Sequence, residues 1–267
     1  MMNKLETIVA QKQFEVAELY QSIAQNPISH AMTKILRGEL PIKKDNLFKR
    51  ALSSSSLAVI AEIKRKSPSK GTIASIINPA DLAQRYISGG ASVLSILTDK
   101  CFFDGDIQDI IQVKKTHSSV PILRKDFIID EIQIAEALVA GASAILCIVA
   151  VLGTKTKSLL NYARSLGLDV LVEIHDENEL DIALESGADI IGINNRNLNT
   201  FIVDTERSLQ LVEKIPTSII KVAESGITTP VMAREYHQAG FNAVLIGEAL
   251  VRSPYPEQFI RECRNAC

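Results

Sequence analysis

Eight short apolar runs, each followed by a longer polar or amphipathic stretch, constrain this chain more than any other feature. They are LAVIAEI (57–63), SVLSIL (92–97), PILRKDF (121–127), AILCIVA (144–150), DVLVEI (169–174), DIIGIN (189–194), IIKVAES (219–225) and AVLIG (243–247). Each is rich in Val, Ile and Leu without clean alternation, which is the pattern of parallel strands covered on both faces. The segments 107–116, 131–140, 178–185 and 229–238 between them read as helices. A glycine precedes every second run, as Gly90-Ala91, Gly141-Ala142, Gly187-Ala188 and Gly240-Phe241, and glycine is the residue that ends helices in the left-handed conformation. Eight such units in 267 residues predict an α/β chain folded as a (β/α)8 TIM barrel, with its site on the loops at the carboxyl ends of the strands. A doubly wound open sheet shares the alternation, but no G-x-G-x-x-G follows any of the runs.

Upstream of the runs, Leu5, Ile8, Val9, Val16, Leu19, Tyr20 and Ile23 fall mainly at helical spacings. They predict an amphipathic helix ended by Asn26-Pro27, and a second basic and apolar segment, 31–50, leads to the serine run 53–56. The expected organisation is an N-terminal helical extension over 1–52, packed on a catalytic barrel over 53–267. The net charge of −2 and a pI near 6.1 give no basic excess for nucleic acid. No run approaches a bilayer-spanning length and the N-terminus lacks a signal-peptide core, so the reading is a soluble cytoplasmic protein with no membrane partner. Cys101, Cys147, Cys263 and Cys267 form no CxxC, and His30, His117, His175 and His237 are scattered, so free thiols and no metal are expected. A monomer is expected, with a homodimer as the alternative.

The carboxyl ends of the runs are polar. In order they carry Glu62 and Lys64, Asp99, Lys125 and Asp126, Glu173 and His175, Asn194 to Arg196, Glu224 and Ser225, and Gly247 and Glu248, whereas the opposite ends are mostly small residues. Charge gathered at one rim of a barrel reads as a site. The first run empties into AEIKRKSPSKG, where Glu62 and Lys64, two residues apart on a strand, project from the same side. Segment 65–71 reads as a flexible lid. Glu224-Ser225-Gly226-Ile227 and Ile246-Gly247-Glu248-Ala249 place glycines where strands turn into helices, so that backbone N–H groups face an anion such as phosphate.

The stretches EIKRKSPSKG, LTDKCFFDGD, ILRKDFIID, LVEIHDENEL, GINNRNLNTF, VAESGI and LIGEALV, in this order and at compatible spacings, resemble the successive motifs of the indole-3-glycerol phosphate synthase family. The resemblance covers nearly the whole chain and implies a (β/α)8 fold. It implies a small-molecule phosphorylated substrate, 1-(2-carboxyphenylamino)-1-deoxyribulose 5-phosphate, closed to indole-3-glycerol phosphate with loss of carbon dioxide and water, and no cofactor. Lys125 is the expected general acid at ring closure, with a pKa lowered by burial or by adjacent cations, and Glu173 the expected base. Glu62 and Lys64 are expected to pair, with Lys64 reaching the substrate carboxylate or acting as acid in dehydration. Asn194 and Glu224 match positions contacting hydroxyls, and Arg196 one near the carboxylate. Ser67, Ser225, Gly226, Gly247 and Glu248 are expected around phosphate, the last through its amide with its carboxylate turned away. Phe103, Phe127, Leu198 and Ile96 are candidate walls for the anthranilate ring.

FDGD at 103–106 and Ala223 depart from the family pattern, which has serine at these places, and Cys147 stands for an aliphatic. Asp106 is itself a good helix N-cap. Two other readings remain at this level. A barrel such as phosphoribosylanthranilate isomerase would need a Cys and Asp pair as base and acid, where this chain offers Lys and Glu. A non-catalytic phosphate-binding module would need the glycines but not Lys125 with Glu173.

Overall fold

The structure, a computed structural model, describes residues 3–25, 31–39, 45–54, 56–198, 200 and 202–264. All eight runs form strands: β1 Ala58–Ile63, β2 Val93–Leu97, β3 Ile122–Lys125, β4 Ala144–Ile148, β5 Asp169–Ile174, β6 Ile190–Asn194, β7 Ile220–Glu224 and β8 Ala243–Ile246. Each pairs in parallel with its neighbours in sequence, and β8 returns to β1 with Ala58 opposite Ala243 and Ala61 opposite Ile246. The sheet is therefore a closed barrel, and the open-sheet alternative is excluded.

Both sides of every strand are covered, which is why the runs read as continuously apolar. Val59, Ala61 and Ile63 face the outer helices, whereas Ala58 and Ile60 join Leu123, Leu146 and Leu171 inside the ring. Period two then carries the inward row of β1 on to Glu62, and the same parity carries other strands to Lys125, Glu173, Asn194 and Glu224. Polar residues thus cap an apolar barrel interior at its carboxyl rim.

Local sequence sets the helices between strands. The helix Glu131–Ala140 starts at a capping box, in which Asp130 accepts from the Ile132 amide and Gln133 reaches back to the Asp130 amide. It ends at Gly141, φ 92°, whose amide returns to Ala137 and Leu138. Gly90, Gly187 and Gly240 share this positive φ, and so does Gly167 ahead of β5, so the motif also serves one of the odd strands. Asp106 caps the helix Ile107–Thr116 through the Gln108 amide at 2.9 Å. The last helix, Pro256–Arg264, packs on Pro79–Ser88, with Glu257 paired to Arg85 at 2.6 Å, and closes the outer layer.

The extension forms α1 Lys4–Gln25, α2 Ala31–Leu36 and α3 Leu47–Leu52; the expected stop at Asn26-Pro27 lies outside the described residues. Its helices touch both ends of the barrel. Ile8 of α1 packs with Phe127 and Ile148 at the carboxyl rim, and α2 lies along the helix Glu131–Ala140. Phe48 and Leu52 of α3 are fully buried in the interior cluster at the opposite end. There the Lys49 amide donates to Asp169 at 2.9 Å and its ammonium to Asp189 at 2.5 Å. The amino-terminal rim, read as a rim of small residues, thus holds two carboxylates that serve as anchors for α3.

Candidate active site

One cavity of 1080 Å³ opens at the carboxyl rim. It is lined by Glu62, Lys64, Lys125, Glu173, Asn194 and Glu224, by Ser67, Phe103, Phe127, Arg196 and Leu198, and by Ser225, Gly226, Gly247 and Glu248. Every catalytic and substrate-contacting residue expected from the sequence therefore faces the same space except Ile96; of the wider polar rim, Asp126 lines it and Asp99, His175 and Asn195 do not. On β2, Val93 joins the interior cluster and Leu97 reaches the cavity, so the alternate residue Ile96 packs outward against the helices.

The centre is an ammonium among carboxylates. Lys125 Nζ lies 2.7 Å from Glu173 Oε2 and 3.0 Å from Glu224 Oε2, and Asn194 Nδ2 donates to Glu173 Oε1 at 3.1 Å. Lys64 Nζ donates to Glu62 Oε1 at 2.5 Å, as the shared parity of these residues predicted. Burial alone would depress the Lys125 ammonium, but Glu173, Glu224 and Glu62 outweigh it and hold its pKa above the ordinary lysine value. The expected depressed pKa is therefore wrong: the neighbours of Lys125 are anions, not cations. Burial pushes the Glu173 carboxyl up, yet Lys125 and His175 outweigh that and hold it below the usual range. Glu224 is shifted up, by burial and by Glu173, against the pull of Lys125; its Oε1 has no hydrogen-bond partner.

Two glycines make room for these acids. A Cβ on Gly192, inside β6, would collide with Glu224 Oε1 and stand 3.2 Å from Leu171 Cδ1, and one on Gly247 would meet Glu62 Oε1 and, at 3.0 Å, Lys64 Nζ. Gly247, expected only beside phosphate, thus also clears the Glu62–Lys64 pair. Gly192→Ala is expected to displace the Glu224 carboxylate, lowering turnover and costing about 1–3 kcal/mol as an overpacked core site. Turnover and thermal unfolding both at wild-type values would show that the acid has room to spare.

Helix capping shapes the apolar wall. Asp99 accepts from the Phe102 and Phe103 amides at 2.7 and 3.2 Å and starts the short helix Lys100–Phe103, which sets Phe103 against Phe127 with ring centroids 6.2 Å apart. Asp104 ends that helix in the left-handed conformation, φ 54°. The lid segment is a small hairpin, Lys66–Ser67 paired with Gly71–Thr72, and its root is tied down by Arg65, which bonds to Asp109 and donates to Ile76 O at 3.1 Å. The stretch 65–71, read from the sequence as flexible throughout, is thus held at its root. Ser225 and Gly226 form a left-handed turn four residues before the helix Pro230–Gln238, so they offer loop rather than helix-terminal amides. Gly247 does stand directly before a helix, Glu248–Arg252, and Glu248 turns away along it to Arg252 at 3.0 Å.

Sequence reasoning missed the contribution of α1. Lys4, Leu5 and Ile8 line the cavity. Lys12, 1% exposed, reaches beneath it to Asp99 at 2.9 Å, Asp126 at 2.8 Å and Glu15 at 2.7 Å. Burial lowers the pKa of Lys12, but Asp126 and Asp99 outweigh it and raise it overall. The signal was present: position 12 sits one helical turn from Ile8 and Val16, a charge in an apolar stripe.

The model of the family described as indole-3-glycerol phosphate synthase matches residues 5–263. The chain belongs to this family. It is 42% identical over its full length to an indole-3-glycerol phosphate synthase of Bacteroides thetaiotaomicron, covering 99% of that protein. With its counterpart from Thermoanaerobacter pseudethanolicus it shares 45% over 248 residues, covering 93% of this chain and 92% of the other. Solved structures at low identity share the fold alone. The tryptophan synthase alpha subunit of Legionella pneumophila has TM-score 0.60 at 13% identity, over 83% of this chain and 96% of that one. A thiamine phosphate pyrophosphorylase of Pyrococcus furiosus has 0.57 at 15%, over 79% and 94%. As an indole-3-glycerol phosphate synthase, the enzyme is a carboxy-lyase of tryptophan biosynthesis, and the cavity has to account for a ring closure, a decarboxylation and a dehydration.

Proposed function

We propose that the cavity converts 1-(2-carboxyphenylamino)-1-deoxyribulose 5-phosphate to indole-3-glycerol phosphate with Lys125 as the acid and Glu173 as the base. The observation that carries this reading is the Lys125 ammonium held between Glu173 and Glu224 at the floor of the cavity. As the aromatic carbon attacks the ketone, its oxygen becomes an alkoxide, and an alcohol is a weaker acid than an ammonium. Lys125 therefore needs no depressed pKa to give up its proton: it polarises the ketone as a cation and transfers the proton as the alkoxide forms. Loss of carbon dioxide then restores the aromatic ring. Glu173, held ionised by its neighbours, is placed to take the ring-side proton in dehydration, while Lys64, oriented by Glu62, serves the leaving hydroxyl or the substrate carboxylate beside Arg196.

Asn194 and Glu224 hold the sugar hydroxyls. Phe103, Phe127 and Leu198 flank the anthranilate ring, and Ser67, Ser225, Gly226, Gly247 and the Glu248 amide receive the phosphate. The extension over 1–52 acts as part of this catalytic unit, and the enzyme works as a cytoplasmic monomer; no helix among the described residues is long and apolar enough to cross a membrane.

Incubation with the carboxyphenylamino substrate is expected to produce indole fluorescence, and a silent reaction would sink the assignment. The dephosphorylated substrate is expected to bind about a hundredfold more weakly, the worth of two charge-assisted hydrogen bonds. Equal affinity would place the phosphate elsewhere.

A further inference from the structure

Behind Glu173 stands a group the reaction scheme leaves unused. His175 follows it by two residues, directly after the end of β5 at Ile174. The imidazole is 7% exposed. Glu179, in the helix Glu177–Glu185, accepts from the His175 backbone amide at 2.7 Å and from its Nδ1 at 3.1 Å. A carboxylate can only accept, so the Nδ1 proton is fixed there. The other ring nitrogen, Nε2, has no hydrogen-bond partner and lies 3.6 Å from Glu173 Oε1, the oxygen not engaged by Lys125.

This arrangement distinguishes the two charge states of the ring. A neutral imidazole with its proton on Nδ1 would turn the Nε2 lone pair toward a buried carboxylate. An imidazolium turns an N–H toward it and sits between two anions, Glu173 and Glu179, with Glu224 of β7 as a third. The charged neighbours acting on it from the surrounding elements are thus carboxylates, and Lys125 of β3 sits on the other oxygen of Glu173. Burial lowers the proton affinity of His175, but the Glu179 bond and the charges of Glu173, Glu179 and Glu224 outweigh it and raise it overall.

We propose that His175 is a positioning residue of this enzyme, an imidazolium that Glu179 holds in place and that orients the Glu173 carboxylate from its Oε1 side. The inference rests on the reading of Glu173 as the catalytic base. Because the folded-state pKa of His175 is raised, the imidazolium is present below that pKa and is lost as pH rises through it. The Glu173 carboxylate stays ionised but loses the N–H that orients its Oε1, and turnover falls on the alkaline side.

The test uses the full chain. The His175 ring proton resonance, assigned by its absence from His175→Gln, is titrated by NMR in the wild type, in Glu173→Gln and in Glu179→Gln. The wild-type midpoint is expected above the ordinary histidine value of about 6.5, and each Gln variant is expected to lower it by about one unit. In steady state, His175→Gln is expected to lower kcat by about tenfold, one pK unit's worth of interaction. KM should change little, and the alkaline limb that the imidazolium gives the wild type should vanish. A midpoint at or below 6.5 that does not move in Glu173→Gln would overturn the proposal, even if His175→Gln fails to fold. Turnover retained by Glu173→Gln would instead remove the base assignment, leaving the measured His175 coupling as a separate result. An inactive Glu173→Gln with an unmoved midpoint would sink only the role of His175.

Discussion

Lys125→Ala is expected to lower kcat by about a thousandfold, the middle of the range for a general acid, while the substrate still binds. The alkoxide formed at ring closure then loses the ammonium held among the carboxylates, and Lys64, oriented by Glu62, serves a different step. Binding survives because the groups proposed for the phosphate and the ring, at Ser225 to Gly226, Gly247 and Phe103 with Phe127, do not depend on Lys125. Loss of the cation leaves Glu173 and Glu224 facing one another, and their shared charge is relieved by protonation of Glu224, already the more easily protonated of the two. Single-turnover kinetics with a separate binding titration would read out both halves. A kcat within tenfold of wild type would reduce Lys125 to a structural ion pair.

The second large effect is on stability. Lys12→Met preserves length and volume but strands Asp99 and Asp126, both almost fully buried. Removing one partner of a buried ion pair costs about 3–5 kcal/mol, and for a chain of this size that corresponds to a fall in Tm of about 10 °C. Asp126 keeps Thr98 at 2.5 Å and Arg124 at 3.2 Å, and Asp99 keeps two backbone amides, so the lower end of the range is expected. Adding Asp99→Asn should recover most of the loss, since asparagine still caps the helix without bringing a charge. Without Lys12 the two aspartates gain proton affinity in the folded state, so the deficit should be largest at neutral pH and shrink as pH falls and they are protonated, Asp99 first because burial already raises its pKa while Arg124 still holds Asp126 down. A Tm unchanged at pH 7 would mean that the ammonium offsets its own desolvation and nothing more.

What the sequence could disclose follows from which interactions are local. Period two along β1 was enough to pair Glu62 with Lys64, and the alternation of runs was enough for the barrel. Capping residues such as Asp106 and Gly141 were readable for the same reason, since their partners lie within a few residues. Burial or adjacent cations would lower the proton affinity of Lys125, but the outcome is set by three carboxylates brought from β1, β5 and β7, which a local reading does not reach. Lys12 was passed over although it interrupts an apolar stripe, because its partners at 99 and 126 come from distant parts of the chain. Gly192 was invisible for a related reason: its value lies in a space filled by a residue from the next strand.

The anchoring of α3 has a consequence for how the molecule is made. Lys49 finds its carboxylate partner 140 residues later in the chain, and Phe48 enters a cluster that includes Ile220 and Ala243. At ordinary translation rates the interval between synthesis of Lys49 and of its partner Asp189 is roughly 7–28 s. Synthesised before every strand of the barrel, its plug is thus among the last elements to be buried, and the nascent chain must carry its exposed Phe48 and Leu52 until the final strands arrive.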